Sequence, residues 1–175
     1  MKKIIPEKLF DLTDFEKVVC PAKNIVPLTT FDIDLFLKRH KVIIHIADEP
    51  YPFDVEITGD LEYCGKENNL RLYKISFGKQ KNDLIFLVNS DNFISKILIK
   101  ADVNNPDAME SFAGILVVIL RNVGLSVEEI QAVNAMVQNE EDTVFHWCEE
   151  TERFVFINAM TKDDNCYFGF FAAVE

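Results

Sequence analysis

Three histidines, four cysteines and twenty-nine acidic side chains are the groups in this 175-residue chain best suited to chemistry. Cys148 is the one cysteine with a base close by, two residues from His146. A thiolate nucleophile needs its base within hydrogen-bond reach. Alternate residues of a strand lie about 6.5–7 Å apart along the chain, too far for a direct bond. The spacing therefore predicts a buried Cys148 and a His146 bonded to something else. His146, Cys148 and Glu149, with His45 or Cys166 from elsewhere, are also zinc-ligand types. A zinc site needs at least three convergent ligands, and the sequence offers only His-x-Cys. His45, inside the apolar run Val42–Ala47, reads as a core histidine. No metal or cofactor is expected.

The serines lack the Gly-x-Ser-x-Gly elbow of a strained nucleophile. The six glycines stand alone at 59, 65, 78, 114, 124 and 169, so no phosphate cradle or dinucleotide fingerprint exists. ATP- and NAD-dependent chemistry by those routes is excluded, and no catalytic residue is assigned. Carboxylates remain. Asp54 and Glu56 read as one wet strand face, with Glu62 extending the row. Glycosidases hold two carboxylates across a substrate, whereas neighbours on one face form a stripe for a basic partner. Glu149, Glu150 and Glu152 beside Trp147, together with Glu140, Glu141 and Asp142, are the other acidic candidates. The aromatics Phe145, Trp147, Phe154, Phe156, Phe170 and Phe171 fall on both faces of the last strands. One face can meet helices; an exposed second face would bind a partner or a second copy.

Net charge is −11 and Phe is abundant, at 15 residues. Acidic surface repels the nucleic-acid backbone and anionic membranes, so neither is an expected partner. The one basic cluster, Lys38-Arg39-His40-Lys41, complements a helix C-terminus; the rival reading is an anion-binding patch. Scattered cysteines fit reduced thiols in the cytoplasm; a mature secreted form is the other reading. The N-terminal MKKII is interrupted by Pro6-Glu7-Lys8 before a signal-peptide core forms. The uncharged segment Ser111–Leu120 is well short of the roughly 20 residues that span a bilayer.

The elements that must position these groups follow from periodicity and caps. Residues 1–28 read as an arm that is irregular or partly helical, with Thr13-x-x-Glu16 as a capping box. Residues 29–175 read as one α+β domain. Thr30 is a candidate cap for a helix from Asp32 to His40. Alternation then implies an antiparallel meander. Lys41–Ala47 reads as a buried strand, Pro50 and Pro52 as a break, Phe53–Ile57 as a half-buried strand, and a bulge falls near Gly59-Asp60. Asn105–Gln138 is a helical hairpin. Asn105 caps, Pro106 opens and Gly124 closes the first helix. Ser126-x-x-Glu129 boxes the second. Three strands end the chain.

Helix-then-strands thus occurs twice, over 29–102 and 103–175, which suggests a duplication. The doubling is similar in arrangement, though in no motif, to the small proteins that inhibit β-lactamases. The expected function is a non-catalytic protein-binding module of inhibitor, immunity or antagonist type. Its candidate contacts are Asp54, Glu56, Glu62, Trp147, Glu149, Glu150 and Glu152. The alternatives are an apolar-ligand binder with a pocket between hairpin and sheet, and an enzyme with a site assembled from distant residues.

Overall fold

The computed structural model describes residues 24–78, 82–138, 143–162 and 164–174. It is an α+β fold with three helices and a mostly antiparallel sheet. In chain order the elements are β1 (Asn24–Val26), α1 (Ile33–Lys38), β2 (Lys41–Ile46), β3 (Glu49–Asp54), β4 (Ile57–Glu67), β5 (Leu70–Phe77) and β6 (Asn82–Val88). Then come β7 (Ile94–Asp102), α2 (Pro106–Val123), α3 (Val127–Gln138), β8 (Thr143–Cys148), β9 (Arg153–Lys162) and β10 (Asn165–Val174). The capping box at Thr13–Glu16 and the acidic segment 139–142 lie outside the described residues. The end of the expected arm, Asn24–Val26, is a strand paired with β10.

The main sheet runs β4-β5-β6-β7-β10-β9-β8, with β1 also on β10, and every pairing is antiparallel. The hairpin α2–α3 explains this order. It carries the chain from β7 to the far edge at β8, and β9 and β10 return to close against β7. The last strand is therefore central, and β10 is buried from Phe168 to Ala173.

The helical hairpin is capped as its sequence predicts. Asn105 Oδ1 accepts from the Asp107 and Ala108 amides, Gly124 takes φ 111°, and Leu125 N–H returns to the Leu120 carbonyl at 3.1 Å. Ser126 N–H donates to Glu129 Oε2 at 2.7 Å, and Glu129 N–H to Ser126 Oγ at 3.2 Å. Phe112, Ile115, Ile119 and Val123 bury one side of α2 in the core with Phe86, Ile97 and Phe170. Burying such side chains contributes about 1.5–3 kcal/mol each.

The first half departs from the periodicity reading. Asp32, not Thr30, caps α1, accepting from the Leu35 amide at 2.9 Å, and the helix stops at Lys38 rather than His40. Lys41–Ile46 is a strand, but not a buried one. It forms a separate two-stranded ribbon with β3, in which Ile44 is buried and His45 is exposed. Apolar composition predicted burial, but a ribbon has few strands to cover it. Pro50 and Pro52 do not break the chain; they lie within β3, opposite His45 and Ile43. Proline has no N–H, so both face the ribbon's outer edge, where no ladder bond is required. The turn uses Ala47 (φ 51°) and Asp48 (φ 64°), the two left-handed residues that a tight hairpin needs.

The expected bulge in β4 is present, as register shifts between Thr58 and Glu62 and between Tyr63 and Gly65. β4 runs on to Glu67 and turns into β5 at Asn68 (φ 48°) and Asn69 (φ 66°).

Candidate functional site

The ribbon β2–β3 lies across α2, and the structure opens a cleft on each side of it. The polarity of these clefts begins in the sequence of α2. Its exposed positions include Asp107, Glu110 and Ala113 in the first half and Arg121 in the last turn. A helix dipole favours acids at its N-terminus and bases at its C-terminus, so one stripe starts acidic and ends basic.

The first cleft has a volume of about 660 Å³ and lies between the N-terminal half of α2 and the chain from β3 into β4. Phe53, Val55 and Phe77 give it an apolar lining, while Asp54, Glu56, Asp107 and Glu110 bring four carboxylates; among the described residues no cation lines it, and Lys41 reaches Asp54 from the ribbon. Gly114 and Ala113 keep the helix wall low, and a Cβ on Gly114 would meet nothing within 4 Å. Val55 N–H bonds to the His40 carbonyl at 3.0 Å, and Gly78 N–H to the Glu56 carbonyl at 2.8 Å. These bonds fix the connection that carries Glu56.

Asp54 is tied across the ribbon. Its Oδ1 lies 2.9 Å from His40 Nδ1, and its Oδ2 lies 3.1 Å from Lys41 Nζ. Partial desolvation raises its pKa, but the bonds from Lys41 and His40 outweigh that and hold the carboxyl below its usual range. Glu56, Asp107 and Glu110 make no ion pair among the described residues and are exposed.

The second cleft, of about 460 Å³, lies on the other side of the ribbon. Among the described residues, Lys38, Arg39, Lys41 and Arg121 line it against one acid, Glu150. Asn122, buried in α2, builds it: its Nδ2 donates to the Arg39 carbonyl and to the Val118 carbonyl, each at 2.9 Å. That bond pins the end of α1 beside the end of α2. Neither cleft is an apolar chamber.

The candidates read from sequence separate in space. Asp54, Glu56 and Glu62 do not form one stripe. Asp54 ends β3, Glu56 lies in the connection, and Glu62 is on β4, where it pairs with Lys74 at 3.6 Å. Alternation along 53–58 suggested one strand, but the chain leaves the ribbon at Val55 and joins the main sheet at Ile57. Glu149, Glu150 and Glu152 are exposed in the β8–β9 turn. That turn packs on the end of α2: a Cβ on Gly124 would lie 3.1 Å from Thr151 Cγ2. Trp147 is 38% exposed and stacks edge-on with Phe154 at 4.9 Å. Phe156 and Phe171 are buried, so the second face of the sheet is not an open aromatic surface there.

The nucleophile and metal candidates also separate. Cys148 is fully buried, and His146 Nε2 lies 3.2 Å from Glu129 Oε1. Burial raises the Glu129 carboxyl, while donors from Ser126, His146 and Glu149 more than offset it and leave it lowered. Cys148 and Cys166 pair with Arg153 and Thr161 of β9. Those positions are about 25 Å apart along a strand, and His45 is on the ribbon. Among the described residues no group of three or more His, Cys, Asp or Glu is placed to hold a metal ion. Burial raises the Cys64 and Cys166 thiols, which makes them poor nucleophiles.

Asp107, Glu110, Arg121 and Asn122 were not among the sequence candidates. Asp107 and Glu110 carried a signal, because residues three apart share a helix face. Asn122 inside an apolar run was another. No family model, curated protein or solved structure matches the chain. No helix of the described residues is long and apolar enough to cross a membrane.

Proposed function

We propose that this chain is a non-catalytic protein-binding module that takes a lysine- or arginine-bearing segment of a partner protein in the cleft between β3 and α2. The observation that carries the reading is the convergence of Glu56, Asp107 and Glu110 above an apolar lining of Phe53, Val55 and Phe77. Lysine and arginine have this same division: an aliphatic stem that packs on apolar surface and a charged head that stays at the rim. Charge complementarity of this kind speeds encounter and selects partners. The reading keeps Asp54 and Glu56 from the acidic stripe as cleft residues. It gives Glu62, Glu149 and Glu152 no part.

The test is calorimetric titration with a short lysine- and leucine-containing peptide at low and high salt. The native chain is expected to bind, with affinity falling steeply as salt screens the cleft. Glu56→Lys/Glu110→Lys should weaken binding by about tenfold or more, the scale of two lost partly desolvated charge contacts. Salt-insensitive binding, or an unchanged affinity in the double variant, would count against the cleft.

A further inference from the structure

We infer that the second cleft, between α1, β2 and the end of α2, is a binding site for a small phosphate-bearing molecule. Net charge elsewhere makes this placement notable. In a chain of net charge −11, Lys38, Arg39, Lys41 and Arg121 gather around one pocket against Glu150 among the described residues; with Asp54, which pairs with Lys41 at 3.1 Å, the formal excess is two positive charges. Exposed charges beyond about 8–10 Å are largely screened at physiological salt, so a ligand inside the pocket feels these four cations, with Asp54 and Glu150, before the acidic remainder.

Each cation has a structural contact, and each contact leaves donors over. Arg39 lies with its guanidinium carbon over the Phe31 ring, 4.7 Å from the centroid, a cation–π contact. Arg121 spends Nη1 on the Leu125 carbonyl at 3.2 Å; its nearest acid, Glu150 Oε2, is 3.9 Å away. A guanidinium has five donors. Lys41 meets Asp54 across the ribbon, and an ammonium has three. Lys38 is exposed and makes no ion pair among the described residues. The helix ends account for a cation apiece, at Lys38 and Arg121. They do not account for Arg39 and Lys41, which the Asn122 bond and the ribbon bring to the same wall.

The chemistry of the lining defines the ligand. Two arginines present forked donors that match phosphate oxygens, and two lysines add point charges. Val42 and Ile43 of β2 offer an apolar rim, with Ile43 61% exposed. Thr151 also lines the wall. A volume of about 460 Å³ is within the usual range of small-ligand pockets. The inference is independent of the acidic cleft and of any protein partner.

The test uses inorganic pyrophosphate as probe, with citrate as the carboxylate control, read by calorimetry and by thermal shift. Pyrophosphate is expected to bind with a dissociation constant below about 1 mM. Lys38→Glu, a change at an exposed position, should weaken it about tenfold, and Glu150→Gln should tighten it about twofold. Lys66→Glu, in β4, should leave it unchanged. Lys38→Gln repeats the test if the reversal disturbs folding. No binding at about 10 mM, equal loss in Lys66→Glu, or equal affinity for citrate would each overturn the assignment.

Discussion

The helical hairpin α2–α3 and the ribbon β2–β3 are both two-element hairpins, and they are built to opposite ends. In the first, both starts and the intervening turn are satisfied by named residues: Asn105, Gly124, and Ser126 with Glu129. Its apolar side is in the core. In the second, Ile43, Ile46 and Tyr51 are exposed, two prolines occupy one edge, and an alanine adopts a left-handed turn conformation. The hairpin spends its sequence on folding. The ribbon spends little on folding and divides the exposed stripe of α2 into an acidic and a basic cleft.

Substitutions can break that contrast. The largest effect is expected in the hairpin. Ile119→Asp places a carboxylate at a fully buried site in the core and should abolish cooperative unfolding, read by circular dichroism; unpaired buried charge costs several kcal/mol. A folded Ile119→Asp protein would mean that α2 is not the scaffold. Ile43→Ser on the ribbon, by contrast, should change stability by about 0.5 kcal/mol or less.

Asn122→Ala comes next. It removes donors to the Arg39 and Val118 carbonyls, at a cost of about 1–3 kcal/mol by denaturant titration. It should also loosen the basic cleft, so pyrophosphate binding should weaken while peptide binding holds. Loss of both together would show that the clefts are not separate.

Acid should act on the hairpin through Glu129. Its folded pKa is lowered from 4.5, so its contribution is complete above the unfolded value and is lost as pH falls through the folded one. Stability of the native chain should therefore fall below about pH 4.5 more steeply than that of Glu129→Gln, compared by urea midpoints. Parallel curves would remove Glu129 as a tie between α3 and β8.

One substitution should produce a modest gain. Ala47 sits at φ 51°, where a Cβ is unfavourable, so Ala47→Gly should stabilise by about 0.5–1 kcal/mol. A loss would indicate that the turn is not strained.

These two regions also mark what the sequence made legible. Caps act within a few residues, so Asn105, Gly124 and Ser126 could be read directly. The bulge at Gly59-Asp60 was legible for the same local reason. Burial is not local: Lys41–Ile46 has the composition of a central strand, yet it pairs only with β3. The acidic cleft was half legible. Asp54 and Glu56 stood out as neighbours, but Asp107 and Glu110 join Glu56 only through the fold, about 50 residues apart in sequence. The partner of Asn122 was hidden: an amide in an apolar helix signals a buried bond but gives no hint of a carbonyl 83 residues earlier.

The most direct test of two oppositely charged clefts is amide chemical-shift mapping with both probes on one labelled sample. The lysine-containing peptide should perturb Val55, Glu56, Glu110 and Gly114, and pyrophosphate should perturb Arg39, Val42, Arg121 and Thr151. Overlapping footprints, or a peptide footprint centred on the β8–β9 turn at Glu149–Glu152, would contradict the account.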